Sequence, residues 1–177
     1  IDNCRATPYL QKPLNYGFDL SIHSATKYMD GQGRVLGGVV VGKQSLIDEM
    51  MFFIRHTGPA MSAFNAWTIS KSLDTLGLRM DRHCSNALAL AQALEKNEAI
   101  ADVKYPFLPS HPQYDLAKKQ MKAGGGIVTF EVKGGVERAF TFLDALEMIL
   151  YTSNLGDARS IATHPASTTH SKLSEEE

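Results

Sequence analysis

The feature that most constrains the fold is a lysine-bearing polar segment placed between two stretches of strand-forming residues. Residues 17–23, "GFDLSIH", alternate in polarity, and residues 35–42, "VLGGVVVG", form a β-branched run bounded by glycines. Between them, Ser24 and Thr26 precede Lys27. A buried ammonium is costly unless a partner compensates it. The pattern predicts two strands of a buried sheet, with a lysine at the edge of the first strand that needs a chemical partner.

The order of the elements at the start of the chain favours an α/β fold with parallel strands. Asp2 stands at the end of a predicted strand, and Pro8 and Pro13 break regular structure before the strand at 17–23. The intervening residues leave room for a short helical crossover, which parallel strands require.

From residue 44 the apolar spacing changes to that of helices. The first helical face ends near Gly58-Pro59 and comprises five apolar residues, Leu46, Ile47, Met50, Met51 and Ile54. Ser62 is a candidate cap for the amphipathic stretch 63–97, which is predicted to be one long helix joining two domains despite Gly77.

The remainder alternates between short strands and helices. Strands are predicted in "IADVKYP", "GGIVTFEV" and "LYTSNL", and helices in "QYDLAKKQM" and "VERAFTFLDALEMI". Such alternation is typical of an α/β unit with helices packed on a sheet. The acidic run at 174–177, "SEEE", is predicted to be a solvated tail.

The charge pattern argues against nucleic-acid and membrane partners. The net charge is −1 and the two signs are interspersed, which indicates small, roughly neutral partners. No apolar run approaches the about 20 residues of a membrane span, and the first residues lack the order of a signal peptide. We therefore expect a cytoplasmic protein. Because "IDN" resembles the end of a buried strand, we also expect the sequence to be part of a longer chain.

The cysteines and histidines show no metal-binding spacing. Cys4 and Cys84 are too few for a disulfide framework and are expected to be reduced thiols. Cys84 is expected to pack within the long helix, whereas Cys4 has no base spaced beside it. His164 and His170 do not share one helix face, and a structural role is expected for both.

Lys27 has the sequence surroundings of an amine that bonds an aldehyde. Partial desolvation favours the neutral amine, and a bond to a carbonyl carbon removes the cost of a buried ammonium. Pyridoxal 5′-phosphate (PLP) fits, because its phosphate needs hydroxyl donors such as Ser24 and Thr26. Its ring nitrogen needs an anion, for which Asp2 is the candidate. The alternative is a solvated lysine after an ordinary strand, since a Ser-x-Thr triplet is common.

Three longer stretches resemble the Cys/Met-metabolism family of PLP-dependent enzymes, the trans-sulfuration group. They are "IDNCRATPYLQKPLNYGFDLSIHSATKYMDGQGRVLGG", "GPAMSAFNAWTISKSLDTLGLRMDRH" and "NLGDARSIATHPASTTHSKL". The resemblance implies a fold-type I, aminotransferase-like architecture. Residues 1–65 would form the rear part of the large PLP-binding domain, and residues 66–177 the connecting helix and a small C-terminal α/β domain.

The resemblance also implies roles for individual residues. Lys27 matches the Schiff-base lysine, and Asp2 matches the aspartate at the pyridine nitrogen. Ser24 and Thr26 match the phosphate-binding hydroxyls. Asn154 falls where family members contact the substrate carboxylate, and the alternative is that Asn154 only shapes a turn.

The glycines after the lysine bear on the substrate. They read G-x-G-x-x-x-G, one residue off the dinucleotide fingerprint, and follow the lysine, so we reject nucleotide binding. Gln32 and Arg34 depart from the pattern of many family members, and "DGQGRVLGG" resembles the branch that acts on O-succinylhomoserine with sulfide.

The implied reaction is γ-replacement, which gives homocysteine and succinate in methionine biosynthesis. Cystathionine γ-synthase activity and elimination of the cystathionine or methionine γ-lyase type remain alternatives, as does a non-catalytic scaffold that keeps the fold. The resemblance also implies a homotetramer with shared sites, completed by residues upstream of Ile1 and downstream of Glu177.

Overall fold

The computed structural model describes residues 1–172. Its α-helices are α1 (Thr7–Leu10), α2 (Gln44–Thr57), α3 (Ala63–Leu73), α4 (Leu76–Leu94), α5 (Tyr114–Gln120) and α6 (Gly135–Asp144). Its strands are β1 (Leu20–Ser24), β2 (Gly38–Gly42), β3 (Ile100–Lys104), β4 (Thr129–Val132), β5 (Leu150–Tyr151) and β6 (Ile161–Ala162). A π-helical turn spans Ala25–Met29, and 3₁₀ turns span Pro13–Tyr16 and Pro165–Ser167. The mixed α/β class predicted from the sequence is confirmed.

The parallel arrangement expected for the strands at the start of the chain does not extend to the two strands around Lys27. β1 and β2 pair antiparallel, with Leu20 opposite Gly42 and Ser24 opposite Gly38. A parallel pair needs a crossover that returns the chain to the starting end of the first strand. Residues 25–37 instead turn back where β1 ends, so β2 runs in the opposite direction.

A parallel neighbour of β1 does exist at the start of the chain. Asp2 forms a parallel bridge with Ile22, and the N–H of Asn3 donates to the carbonyl of Ile22 over 2.8 Å. The connection between the two contains α1 and the 3₁₀ turn Pro13–Tyr16. The predicted short helical crossover is therefore confirmed for this pair.

The expectation that both strands belong to a buried sheet is met only in part by the described residues. In β1 the buried side chains are Ser21 and His23, whereas Ile22 is 46% exposed. The two inward side chains bond each other, since Ser21 Oγ lies 3.0 Å from His23 Nε2. β2 has no buried residue.

The stretch predicted as one long helix is divided into α3 and α4. Thr75 leaves the helical conformation, with φ −107° and ψ 0°, and its hydroxyl donates to the carbonyl of Ser72 over 3.1 Å. Threonine side chains compete in this way with helical hydrogen bonds. The N-terminal cap of α3 is confirmed, because Ser62 Oγ accepts a hydrogen bond from the N–H of Asn65.

Two core clusters hold the π-helical turn from opposite sides. Tyr28 packs with α1 and α4 in a cluster that includes Met80 and Cys84, which confirms the packing role expected for Cys84. Ala25 and Met29 belong to a second cluster with Val35 and Ile69. A third cluster, between α4 and the segment after β3, contains Ala87, Ala91, Tyr105 and Leu108.

Two further expectations concern membrane-spanning helices and the end of the chain. Within residues 1–172, none of the helices has the length and apolarity needed to cross a bilayer. The acidic run at 174–177 lies outside the described residues.

Candidate active site

Lys27 lies in the π-helical turn Ala25–Met29, which we call the lysine turn. The turn follows β1 directly, and the N–H of Asp30 donates to the carbonyl of Ala25 over 2.9 Å. Lys27 itself has non-helical angles, φ −90° and ψ −123°, within the turn. The side chain is half-buried and lies at a cavity.

The Lys27 amine meets a neutral partner. Its Nζ donates to Asn154 Oδ1 over 2.8 Å. The cavity has a volume of about 390 Å³ and is lined by Thr26, Lys27, Gly33, Arg34, Val35, Leu36, Ser153 and Asn154. Because an amide does not hold an amine as strongly as a carboxylate would, this amine is available to a carbonyl compound or a proton.

The segment that carries Asn154 is docked on the lysine turn by Gly156. This glycine has φ +80°, and a Cβ there would lie 2.5 Å from the backbone nitrogen of Tyr28. The N–H of Ala158 donates to the carbonyl of Gly31 over 2.7 Å and closes the contact. Only glycine permits both this conformation and this approach. The sequence indicated a turn at Asn154 but no role for Gly156 in the site.

Arg79, from α4, caps the far end of the lysine turn and was not found by sequence reasoning. Its Nη1 donates to the carbonyl of Tyr28 over 2.5 Å and its Nη2 to that of Met29 over 3.3 Å. A Cβ at Gly31 would collide with this guanidinium. Burial lowers the pKa of Arg79. No local pattern links α4 to a turn about 50 residues earlier.

Asp30 and Arg34 form a second group at the cavity, with Arg34 in the lining and Asp30 behind it. Asp30 is fully buried, and its carboxylate accepts hydrogen bonds from Arg34 Nε over 3.0 Å and from the backbone N–H of Arg34 over 2.7 Å. Arg34 Nη2 also donates to Ser72 Oγ over 2.5 Å. The spacing of Asp30 and Arg34, four residues apart, was the available signal in the sequence.

Asp2 and Ser24 are linked through Cys4. The N–H of Cys4 donates to Asp2 Oδ1 over 2.8 Å, and the N–H of Ser24 donates to Cys4 Sγ over 2.6 Å. Hydrogen bonding from the Cys4 thiol, and then from its N–H, holds the pKa of Asp2 below its ordinary value. Burial raises the pKa of the Cys4 thiol. Cys4 therefore supports a carboxylate that sequence reasoning had considered alone.

The remaining predicted site residue, Thr26, lines the cavity, but its hydroxyl bonds the backbone of Gly37 and donates to the Gly37 carbonyl over 3.4 Å. Its Oγ1 accepts a hydrogen bond from the N–H of Gly37 over 3.1 Å. In the described part of the chain, the cavity lining contains Thr26, Lys27 and Asn154 but neither Asp2 nor Ser24. The structure thus brings the predicted residues to one strand end in two groups.

The two histidines of the C-terminal stretch make local contacts. His164 Nδ1 lies 2.8 Å from Ser167 Oγ, and His170 Nδ1 lies 2.8 Å from Thr169 Oγ1. These bonds stay within the turns that follow β6, as the expected structural role requires.

Known proteins resemble this chain over its whole length. The family described as "Cys/Met metabolism PLP-dependent enzyme" matches residues 1–177. An O-succinylhomoserine sulfhydrylase of Pseudomonas aeruginosa is 50% identical over 177 residues, which are 100% of this chain and 44% of that protein. An L-methionine gamma-lyase of Treponema denticola is 45% identical over 179 residues, covering 100% of this chain and 45% of that protein. The chain spans less than half the length of these curated relatives.

Solved structures agree with the sequence relatives. The cystathionine gamma synthase of Xanthomonas oryzae pv. oryzae, in complex with aminoacrylate and cysteine, superposes with a TM-score of 0.95 at 36% identity. The match covers 99% of this chain and 46% of that one. The metB structure from Corynebacterium glutamicum superposes with a TM-score of 0.92 at 40% identity, covering 96% of this chain and 44% of that one.

Proposed function

The chain belongs to the Cys/Met-metabolism family of PLP-dependent enzymes, and we propose that the protein exchanges the acyloxy group of O-succinylhomoserine for sulfide. The Cγ–O bond of the substrate breaks and a Cγ–S bond forms, so the products are homocysteine and succinate. The fold is fold-type I, and PLP is the cofactor of the family. The 50% identical sulfhydrylase of P. aeruginosa supports this choice of substrate.

The residues at the lysine turn fit PLP by their chemistry. The Lys27 amine, which carries the proposal, bonds only a neutral amide among the side chains of residues 1–172 and lines a cavity of about 390 Å³. Such a volume lies within the usual range for small-molecule sites. We assign Lys27 to the cofactor aldehyde, Asp2 to the ring nitrogen, and Ser24 and Thr26 to the phosphate.

PLP, when bound, supplies an aldehyde that bonds an amine and a protonated ring that withdraws electrons from the substrate Cα. Lys27 Nζ then serves as the base that removes the Cα proton and later returns a proton to the substrate. Hydrogen bonds from Cys4 stabilise the carboxylate of Asp2, and its charge would hold a proton on the ring nitrogen of the bound cofactor. We assign Asn154 to the substrate and to the orientation of the amine.

Elimination is the second candidate function. The 45% identical methionine gamma-lyase of T. denticola favours it, because the same lysine and cofactor also serve a reaction that water completes. In that case O-succinylhomoserine would give 2-oxobutyrate, ammonia and succinate. Cystathionine γ-synthase activity differs only in the thiol that attacks Cγ, and a solved cystathionine gamma synthase shares the fold.

A non-catalytic scaffold that has kept this fold would form no bond at Lys27. A yellow colour that sodium borohydride bleaches, with the cofactor then fixed to Lys27, would contradict the scaffold. Its absence from protein incubated with PLP would contradict the enzyme.

We also propose the wider setting that the family resemblance implied. The protein would act in the cytoplasm as a homotetramer with sites shared between subunits. Residues 1–65 would belong to the large cofactor domain and residues 66–177 to the connecting helices and the small domain.

The decisive experiment is to supply the complete, PLP-loaded protein with O-succinylhomoserine, with and without sulfide, and to quantify homocysteine and 2-oxobutyrate. Homocysteine that appears only with sulfide is the expected result. Oxobutyrate formed at the same rate with or without sulfide would assign the protein to the lyases. Replacing sulfide with cysteine and measuring cystathionine tests the remaining synthase activity.

A further inference from the structure

Arg34 is the second cationic residue of the cavity that Lys27 lines. Of the lining residues within 1–172, Lys27 and Arg34 carry positive charge and none carries negative charge. The side chain of Arg34 is 42% exposed. The cavity is therefore suited to a ligand with a negative group at some distance from the atom that reacts near Lys27.

The guanidinium of Arg34 is held through two of its nitrogens. Nε donates to Asp30 Oδ1 over 3.0 Å, and Nη2 lies 2.9 Å from the same oxygen. Nη2 also donates to the carbonyl of Asp30 over 3.3 Å and to Ser72 Oγ. Within residues 1–172, these two nitrogens make all the hydrogen bonds of the group, so Nη1 is available to a ligand. A guanidinium fixed in this way binds a carboxylate with little loss of conformational entropy.

The buried carboxylate behind Arg34 does not cancel the positive charge of the region. Arg34 Nη2 lies 2.9 Å from Asp30 Oδ1, and both Asp30 and Arg34 are close enough to Arg79 to act on its charge. Arg34 and Asp30 form an ion pair, and the guanidinium of Arg79 adds a positive charge that no salt bridge offsets within residues 1–172. Arg79 directs its donors to backbone carbonyls and to Thr75 Oγ1. Of the two arginines, Arg34 is the one that lines the cavity.

We propose that Arg34 binds the distal carboxylate of the acyl group and thereby selects dicarboxylic esters of homoserine over the acetyl ester. This inference deepens the proposed function and rests on it. A succinyl ester ends in a carboxylate, whereas an acetyl ester ends in a methyl group that offers nothing to a guanidinium. Val35 and Leu36, also in the lining, are apolar residues that suit the methylene groups between the ester and the carboxylate.

The test compares O-succinylhomoserine with O-acetylhomoserine in the complete, PLP-loaded protein and in Arg34→Gln. The measured product is the released acid, succinate or acetate, because both γ-replacement and elimination release it. We expect Arg34→Gln to lower kcat/KM for the succinyl ester by about 10- to 100-fold, mainly through KM, since one charge-assisted hydrogen bond is lost. The value for the acetyl ester should change little, and Arg34→Lys should restore part of the selectivity.

The acetyl ester is the internal control for structural damage. If Arg34 only supports the lysine turn, both esters lose activity equally, and this result would overturn the inference. Arg82→Gln removes an exposed arginine of α4 that does not line the cavity, and it should leave the ratio between the esters unchanged. Inhibition by added succinate, compared with acetate, provides a second readout and should weaken in Arg34→Gln alone.

The outcomes also separate this inference from the proposed function. Release of 2-oxobutyrate without need of sulfide, together with lost preference for the succinyl ester in Arg34→Gln, would reject γ-replacement and retain the role of Arg34. Sulfide-dependent homocysteine with an unchanged preference would retain γ-replacement and reject the role of Arg34. If neither ester releases its acid, both proposals fail.

Discussion

The lysine turn and α2 have similar apolar content but opposite surroundings. In the lysine turn, Ala25, Tyr28 and Met29 are at most 5% exposed, because two core clusters enclose it. In α2, Phe52 and Phe53 are each 67% exposed, and the helix contains no buried residue within the described part of the chain. Apolar spacing specifies a helix and its apolar face, but only the neighbouring elements determine whether that face is covered.

The largest expected effect comes from Lys27 in the lysine turn, which we assign to the cofactor and to proton transfer. Lys27→Ala should lower homocysteine formation by about 10³-fold or more, because it removes both the cofactor bond and the base. The free energy of unfolding without PLP should change little, since the side chain makes one hydrogen bond, to Asn154. Lys43→Ala, at an exposed lysine that pairs with Asp19, is the matched control. Normal turnover by purified Lys27→Ala would contradict the assignment.

Asp2→Asn tests the role that we assign to the carboxylate at the start of the chain. We expect a rate loss of about 10²- to 10³-fold, because an amide cannot hold a proton on the facing ring nitrogen electrostatically. The pKa of Asp2 is already below its ordinary 3.8, so the carboxylate should persist across the active pH range. The stability it contributes is present above 3.8 and is lost only as the pH falls through the lower folded pKa.

Cys4→Ala should raise the pKa of Asp2 towards its ordinary value, and Cys4→Ser should restore most of the shift. A carbon-detected NMR titration of the carboxyl group measures it directly. An unchanged pKa in Cys4→Ala would show that the thiol does not support Asp2.

A pair of substitutions tests the contrast in burial itself. Met80→Ala, beneath the lysine turn, should reduce the free energy of unfolding by about 2–5 kcal/mol through the cavity it leaves. Phe53→Ala, on α2, should change it by no more than about 0.5 kcal/mol. Chemical denaturation of both variants measures the difference. Equal losses would show that α2 is covered in the complete protein, as an assembly of subunits would require.

Gly156→Ala should have the smallest effect on activity among these substitutions. The added Cβ would meet the backbone of Tyr28 and occupy a conformation with φ +80°, at a cost of about 1–3 kcal/mol. Thermal unfolding measures the loss of stability. Because Asn154 should move away from Lys27, KM should also rise, whereas Gly135→Ala, where a Cβ meets nothing within 4 Å, controls for strain alone.

Local sequence patterns predicted individual helices and strands better than they predicted which strands pair. The limits of α2, the cap of α3 at Ser62 and the short crossover before β1 depend on residues close in sequence, and the structure confirms them. The antiparallel pairing of β1 and β2 depends on where the intervening turn sends the chain. The break at Thr75 depends on side-chain competition for backbone carbonyls, which hydrophobic periodicity does not register.

The candidate site shows the same difference between local patterns and long-range contacts. Lys27, Thr26 and Asn154 were selected from motifs, and the structure places them at one cavity. Cys4, Arg79 and Gly156 were missed as supporting residues, because each acts through a contact with a residue far away in the sequence. A motif identifies chemical groups, whereas their support is a property of packing.

The sequence by itself determined the family and the cofactor and predicted a role for the lysine, because these depend on which chemical groups are present and on their local order. Only the tertiary structure decided that Asn154 meets the amine, that Cys4 supports Asp2, and that Arg34 lines the cavity beside Lys27. The physical reason is that hydrogen bonds and electrostatic support act over a few ångströms. Residues separated by up to 127 positions come within that range only when the chain has folded.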